Sequence, residues 1–390
     1  MALPLPLLIT ILLLPSLSFA TNYNAVSYGA KPDGNTDSSA AFLNMWNSAC
    51  SSVSPSTIIV PPGKFLVAQP VVFSGDYCKS RGITFRILGT LVAPSNYQVF
   101  ATASYWISFV DVSRVTISGG TLDGQGAGLW ACKNNGGNSC PGGVTTLAFT
   151  NSKNIVISGL TSLNSQLYHI VVNGCQNVNI HGVKVIASGT SPNTDGIHVQ
   201  LSSGITILNT NIGTGDDCIS IGPGTTNMWM QKVVCGPGHG ISIGSLGKDA
   251  NEAGVRNVTV TSSTFVRTQN GVRIKTWARP SNGFVTDVHF QHLTMVNAQN
   301  PIIIDQNYCP DDSGCPGQIS GVKISDVTYL DIHGTSATEV AVNLDCSSKY
   351  PCSQITLQDV QLTYNDRAPL ASCLNAGVSS SGLDQPTSCQ

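Results

Sequence analysis

A short apolar–polar–apolar segment recurs along most of this 390-residue chain. It is read at Val115–Gly119 (VTISG), Ile155–Gly159 (IVISG), Val178–Gly182 (VNIHG), Ile205–Asn209 (ITILN), Val258–Ser262 (VTVTS), Val288–His292 (VHFQH), Val322–Asp326 (VKISD) and Ile355–Asp359 (ITLQD). The alternation is that of a strand with one buried face. Successive segments start 40, 23, 27, 53, 30, 34 and 33 residues apart, and the steps of 40 and 53 read as two turns each. A strand unit recurring at such intervals is the mark of a solenoid. Leucine-rich repeats are disfavoured because no persistent leucine frame or helix follows each strand. A propeller needs about four strands per 40–50 residues, and a sandwich needs shorter hairpin spacings. The pattern predicts an all-β fold, a single-stranded right-handed parallel β-helix whose inward Ile and Val columns form one core.

A solenoid must close its ends. Asp37–Cys50 reads as a short N-terminal capping helix, with Asp37 as N-cap and Ala41, Phe42, Met45, Trp46 and Ala49 on one face. The repeat is expected to stop after about Asn365. Residues 1–20 read as a signal peptide cut after Ala20: an apolar, proline-interrupted run too short to span a bilayer, then small residues. Residues 21–390 are then one secreted β-helix catalytic domain, bound for the extracellular space or cell wall. The chain is only 10% charged, with net charge −2. That balance points away from nucleic acid and from anionic membrane as partners. A monomer is expected, since the terminal elements cover the solenoid edges.

Thirteen cysteines in a secreted chain read as disulfides with one thiol left over. The close pairs are Cys132/Cys140, Cys218/Cys235, Cys309/Cys315, Cys346/Cys352 and Cys373/Cys389, with Cys50/Cys78 as a sixth. Cys175 lies alone in an apolar stretch and is expected to be buried and free. Metal-binding Cys-x-x-Cys spacing with His partners is absent. Asn257-Val258-Thr259 is a glycosylation sequon.

The scarce charges cluster. Asn193-Thr194-Asp195, Gly215-Asp216-Asp217, Gly238-His239-Gly240, Arg273-Ile274-Lys275 and Asn307-Tyr308-Cys309 follow one another along the chain. Asp195 to Asp216 is 21 residues, Asp217 to His239 is 22, His239 to Arg273 is 34 and Arg273 to Tyr308 is 35. These steps match the coil lengths. They predict one column of side chains on one outer face, about 4.8 Å apart. Gly215 is expected to allow a turn or bulge that brings Asp216 and Asp217 out together. Each motif alone is commonplace, as a solvated turn, a loop or a strand edge; their shared register is not. Clustered carboxylates cannot all ionise normally, which yields an acid and a base in one cleft. Arg273 and Lys275, two apart on a strand, suit an anionic sugar.

These four motifs, in this order and spacing, resemble the polygalacturonases, family twenty-eight of the glycoside hydrolases. The resemblance covers about residues 24–390. It implies a right-handed parallel β-helix and inverting hydrolysis of α-1,4-linked galacturonan, without cofactor or metal. By the same resemblance Asp216 is the general acid, Asp195 and Asp217 activate water, and His239 tunes the acid. Arg273, Lys275, Tyr308 and Asn193 would bind substrate. The stretches at Tyr308–Pro316 and Asn173–Cys175 are similar to plant, pollen-type, exo-acting members. Endo action is the alternative, and a calcium-dependent pectate lyase is a further one. Calcium wants six to eight oxygens, whereas His239 and Lys275 sit among these carboxylates. A wall-binding β-helix with a dead site is the non-enzymatic alternative, against which the intact carboxylate set speaks.

Overall fold

The computed structural model describes residues 21–390 apart from 137–138, 311–312, 387–388 and 390; the segment 1–20, expected to be a signal peptide, lies outside the described residues. Eleven parallel strands form one sheet, from Val71–Ser74 through Ile197–Gln200, Ile219–Ile221, Ile241–Leu246, Asn270–Trp277 and Asn300–Tyr308 to Leu370–Leu374. A second parallel set of 20 strands wraps the rest of each coil. The chain is a right-handed parallel β-helix, as the repeat predicts.

The repeated segments stack in register with one exception: Val288 pairs with Val327, five residues after the expected Val322, so that coil's segment is Val327–Asp331. Val178, Ile205, Met228, Val258, Val288, Val327 and Ile355 follow one another across the sheet. All are buried. The N-terminal coils fill the same core with aromatic rings, and Phe109 and Phe149 stack at 4.7 Å. Each coil must turn sharply just before its inward residue. Asn154, Asn177, Asn227, Asn257, Asp287 and Asp326 make that corner in the left-handed region, which Asn and Asp tolerate better than bulkier residues. Their side chains form a ladder: Asn257 Nδ2 donates to Asn227 Oδ1 at 2.7 Å. The sequon asparagine Asn257 is therefore exposed at a corner.

Three further expectations need correction. The 40-residue step from Val115 to Ile155 is one coil, not two, because Thr116 and Ile117 pair directly with Val156 and Ile157. The extra length is an excursion carrying the helix Ala127–Asn134. The 53-residue step does contain a further coil, Thr226–Cys235. The capping helix runs Ser39–Ser51 with Ser38 at the N-cap. Asp37 sits one residue earlier, yet its Oδ1 still accepts from Ser39 N and Ala68 N. Finally, the coils continue past Asn365, because Leu370–Leu374 and Ala376–Ser381 add a last turn. Its large apolar residues Leu370 and Leu374 are over half exposed, and those packed on the core are mostly small, Ala371, Cys373, Ala376 and Val378, so the apolar alternation that betrays the other coils is lost there.

All six expected disulfides are present: Cys50–Cys78, Cys132–Cys140, Cys218–Cys235, Cys309–Cys315, Cys346–Cys352 and Cys373–Cys389. Cys175 is buried and free.

Candidate active site

The chemistry sits on the outer face of the eleven-stranded sheet. His198, Ser220, Ser242, Arg273 and Ile303 are direct register partners on consecutive strands. Asp195, Asp217 and His239 each lie two residues before the first paired isoleucine of their strand, Ile197, Ile219 and Ile241. The stacking partner of Asp195 is thus Asp217, not Asp216. The expected single column is in fact several neighbouring files. They converge because the long side chains of Arg273 and Lys275 reach back to Asp217.

Asp216 and Asp217 lie in a bend between strands, not on a regular strand. Gly215 lies in that bend, in keeping with the expected turn, and has a further reason to be glycine. A Cβ there would stand 2.1 Å from the Ser191 carbonyl oxygen, so the two backbones can approach only without a side chain. Gly240 serves the same end for His239: a Cβ would meet Asn270 O at 2.2 Å, and its φ is +89°.

Asp217 is buried and fully engaged. Arg273 Nη2 donates to its Oδ1 at 3.0 Å and Ser242 Oγ to the same atom at 2.7 Å. Lys275 Nζ donates to its Oδ2 at 2.8 Å. Burial alone would push this carboxyl up, but Lys275 and Arg273 outweigh it and hold the carboxyl below its ordinary range. In return, Asp217 outweighs the burial of Lys275 and keeps that amine charged.

Asp195 is buried as well, but without such cations close by. Burial, then the charges of Asp216 and Asp217, push its carboxyl well above the ordinary value; the Ser220 hydroxyl and Lys275 pull more weakly the other way. Asp216 faces the cleft. Its Oδ1 meets His239 Nδ1 at 3.1 Å and accepts from Asp217 N at 2.8 Å. Asn193 Nδ2 makes a long contact of 3.4 Å to its Oδ2. Tyr308 ends its strand with its ring over both cations, 5.1 Å from Lys275 Nζ and 5.9 Å from the Arg273 guanidinium.

The structure therefore brings together Asn193, Asp195, Asp216, Asp217, His239, Arg273, Lys275 and Tyr308. It adds residues not singled out from sequence. Ser242 holds Asp217 and also accepts from Arg273 Nε at 3.1 Å. His198 bonds Ser220 through Nδ1 at 2.8 Å, and Tyr168 stacks on its ring at 5.2 Å. Burial lowers the His198 pKa, favouring a neutral ring. A signal for these existed. Ile-His-Val, Ile-Ser-Ile, Ile-Ser-Ile and Val-Arg-Ile are successive strands whose middle residue faces out.

The cleft around these groups has a volume of about 650 Å³. One end is lined by Ser104, Tyr105, Gly143 and Tyr168 of earlier coils, the other by Lys248, Glu252 and Tyr308 of later ones. The long excursion buttresses the first end: Trp130 Nε1 donates to Ser165 O at 3.0 Å, and Asn134 Nδ2 reaches Thr190 O at 3.1 Å. Asp216, Asp217 and His239 present ligand atoms within 4.8 Å of one another. They do not suit a divalent cation, because both Asp217 oxygens already serve Arg273, Lys275 and Ser242.

Comparison with known proteins gives the family. Residues 50–383 match the model of the glycosyl hydrolases family 28. The chain belongs to that family. This family-28 chain is 61% identical to a polygalacturonase of Prunus persica over 99% of its own length and 98% of the relative's. It is 44% identical to an exopolygalacturonase of Platanus acerifolia, covering 93% of this chain and 96% of that one. Among solved structures, endo-xylogalacturonan hydrolase from Aspergillus tubingensis superposes with a TM-score of 0.79 at 25% identity, over 90% of this chain and 97% of the other.

Proposed function

We propose that this family-28 hydrolase is a secreted polygalacturonase that cleaves α-1,4-galacturonosyl bonds of polygalacturonate with inversion, acting from a chain end. The reading is carried by one observation: three aspartates and Lys275 line one cleft, and Arg273 reaches Asp217 beside them, which gives two cations for substrate carboxylates. Asp216 stands at the cleft surface between His239 and Asn193, placed to protonate the leaving oxygen. Asp217, held ionised by Lys275 and Arg273, and Asp195 beside it orient the attacking water and take its proton. Asn193, Arg273, Lys275 and Tyr308 hold the sugar. Polygalacturonase activity is supported by the family and by the Prunus persica relative. Exo action is supported by the Platanus acerifolia relative and by the buttressed end of the cleft. Secretion is supported by the leader-like segment and the disulfides, and Asn257 is the residue proposed to carry a glycan.

The test is incubation of the purified protein with polygalacturonate beside an Asp216→Asn variant. Galacturonate release by the parent alone supports the reading, and equal release by both sinks it. Viscosity against reducing-end release separates the modes, since a steep early viscosity loss contradicts exo action. NMR of the first product reports the anomer, and a retained α-configuration contradicts inversion.

A second assignment of roles is favoured by a specific observation. Asp195, not Asp217, is the buried carboxyl whose proton affinity is raised, as for a general acid. A nitrophenyl galacturonide, whose leaving group needs no proton, distinguishes the two. Only the variant lacking the true acid, Asp216→Asn or Asp195→Asn, retains its rate on that substrate.

A further inference from the structure

The coils that carry Asp195 and Asp216 are not joined through the main chain where the two acids stand. Their backbone ladder runs to Ala187, whose N–H donates to Gly213 O at 2.9 Å. It resumes at Gly196, whose N–H donates to Asp217 O at 2.9 Å. Between these points no backbone hydrogen bond crosses from residues 188–195 to residues 214–216 among the described residues. The next pair of coils differs. There Thr214 N donates to Pro237 O at 2.8 Å and His239 N to Asp216 O at 2.8 Å, so the Asp216 and His239 loops are tied through the main chain.

Buried hydroxyls bridge the gap. Thr194, the residue before Asp195, has its Oγ1 2.7 Å from Thr214 Oγ1. The same Oγ1 accepts from the N–H of Gly215, the residue before Asp216, at 3.2 Å. The Thr214 hydroxyl donates back to the Thr194 carbonyl oxygen. Behind them Ser191 Oγ lies 2.6 Å from Thr194 Oγ1 and donates to Ser188 O at 2.5 Å. The protons balance: Ser191 and Thr214 give theirs to carbonyls, and Thr194 has one for a neighbouring hydroxyl or for Ser191 O at 3.0 Å. All three side chains are fully buried, and none lines the cleft. A turn uses one such hydroxyl to satisfy one backbone group. Here three are in contact and span two coils. Among the described residues the one other side-chain link across the gap is the long 3.4 Å contact of Asn193 to Asp216.

We propose that Thr194 and Thr214, backed by Ser191, are positioning residues that set how far Asp195 stands from Asp216. This role rests on the polygalacturonase reading and deepens it. Hydrolysis with inversion needs acid and base carboxyls about 6.5–9.5 Å apart, which leaves room for the attacking water. An unbroken ladder holds neighbouring coils about 4.8 Å apart. Where the ladder is broken the two loops are free to splay, and the hydroxyls decide how far. A displacement of about 1 Å at the reacting groups costs on the order of 10²-fold in rate.

The test is steady-state kinetics of the full chain on polygalacturonate, comparing Thr194→Val, Thr214→Val and the double variant with Thr194→Ser. Valine keeps the branched shape and removes the hydroxyl, whereas serine keeps the hydroxyl. Each valine variant is expected to lose about 10- to 100-fold in kcat, with KM within about threefold of the parent's. The double variant should lose far less than the product of the two single losses, because both changes break one link. Thr194→Ser should recover most of the lost kcat. Valine variants that keep the parent's kcat overturn the role, and so do losses that multiply in the double variant or that serine does not recover. A valine variant without a melting transition overturns it too, since the hydroxyls would then serve the coil and not the site. If the parent releases no galacturonate from polygalacturonate, the functional reading itself fails. If the parent is active and the valine variants match it, the positioning role alone fails.

Discussion

Asp195 and Asp217 occupy the same position on successive coils, two residues before Ile197 and Ile219, and both are buried. Their surroundings differ in one respect. The coil that follows Asp217's neighbours brings Arg273 and Lys275 onto its carboxylate, whereas Asp195 faces mainly Tyr168, Ser220 and other aspartates. The result is opposite proton affinities in stacked, chemically identical groups. Burial dominates where no cation answers it, and loses where two do. A solenoid makes such a contrast easy to build. The inward residues of these strands are nearly uniform Ile and Val, so the outward ones vary from coil to coil without disturbing the core.

The largest expected effect comes from removing the paired carboxylate. Asp217→Asn leaves Lys275 and Arg273 without their shared anion. Turnover on polygalacturonate should fall about 10²–10⁴-fold, and stability should fall by about 3–5 kcal/mol. A variant with an unchanged melting temperature would contradict the buried pair. Lys275→Met attacks the contrast from the cation side. It should raise the Asp217 pKa, moving the acid limb of the rate profile to higher pH, with a stability loss about as large.

Asp195→Asn should behave differently. Activity falls by about 10²-fold or more, yet stability should rise above the elevated Asp195 pKa. The sign follows from linkage. A carboxyl whose folded pKa is raised binds protons more tightly when folded. Its ionisation therefore costs stability as pH climbs from the unfolded pKa through the folded one. Asp217 runs the other way: its depressed pKa contributes stability that is lost as pH falls through it. Melting curves of both variants between acid and neutral pH check the pair. The smallest expected effect is Ser242→Ala, which removes one hydrogen bond to Asp217 and one from Arg273. A loss of about threefold to thirtyfold in kcat/KM is expected; steady-state kinetics decides it.

Much of this was legible in the chain. The Ile/Val alternation located the coils because each inward residue is forced to be apolar by the core it stacks in. The site motifs were legible because their spacing equals the coil length. Three things were hidden. The Val115–Ile155 coil looked double because an excursion hides a single turn. The last coil was missed because Leu370 and Leu374 face solvent. The register of Asp195 with Asp217 could not be told from register with Asp216 by counting, since the two differ by one residue and a bend sets the phase. The roles of Ser220 and Ser242 were readable from their place between isoleucines, but serine on a strand is too common to stand out alone.

The most direct test is a carbon-13 titration of the aspartate carboxyls by NMR, assigned with the Asp195→Asn and Asp217→Asn variants. The account predicts that Asp217 titrates below the ordinary carboxylate range and Asp195 well above it, with the gap narrowing in Lys275→Met. Equal midpoints, or the reverse order, would contradict it.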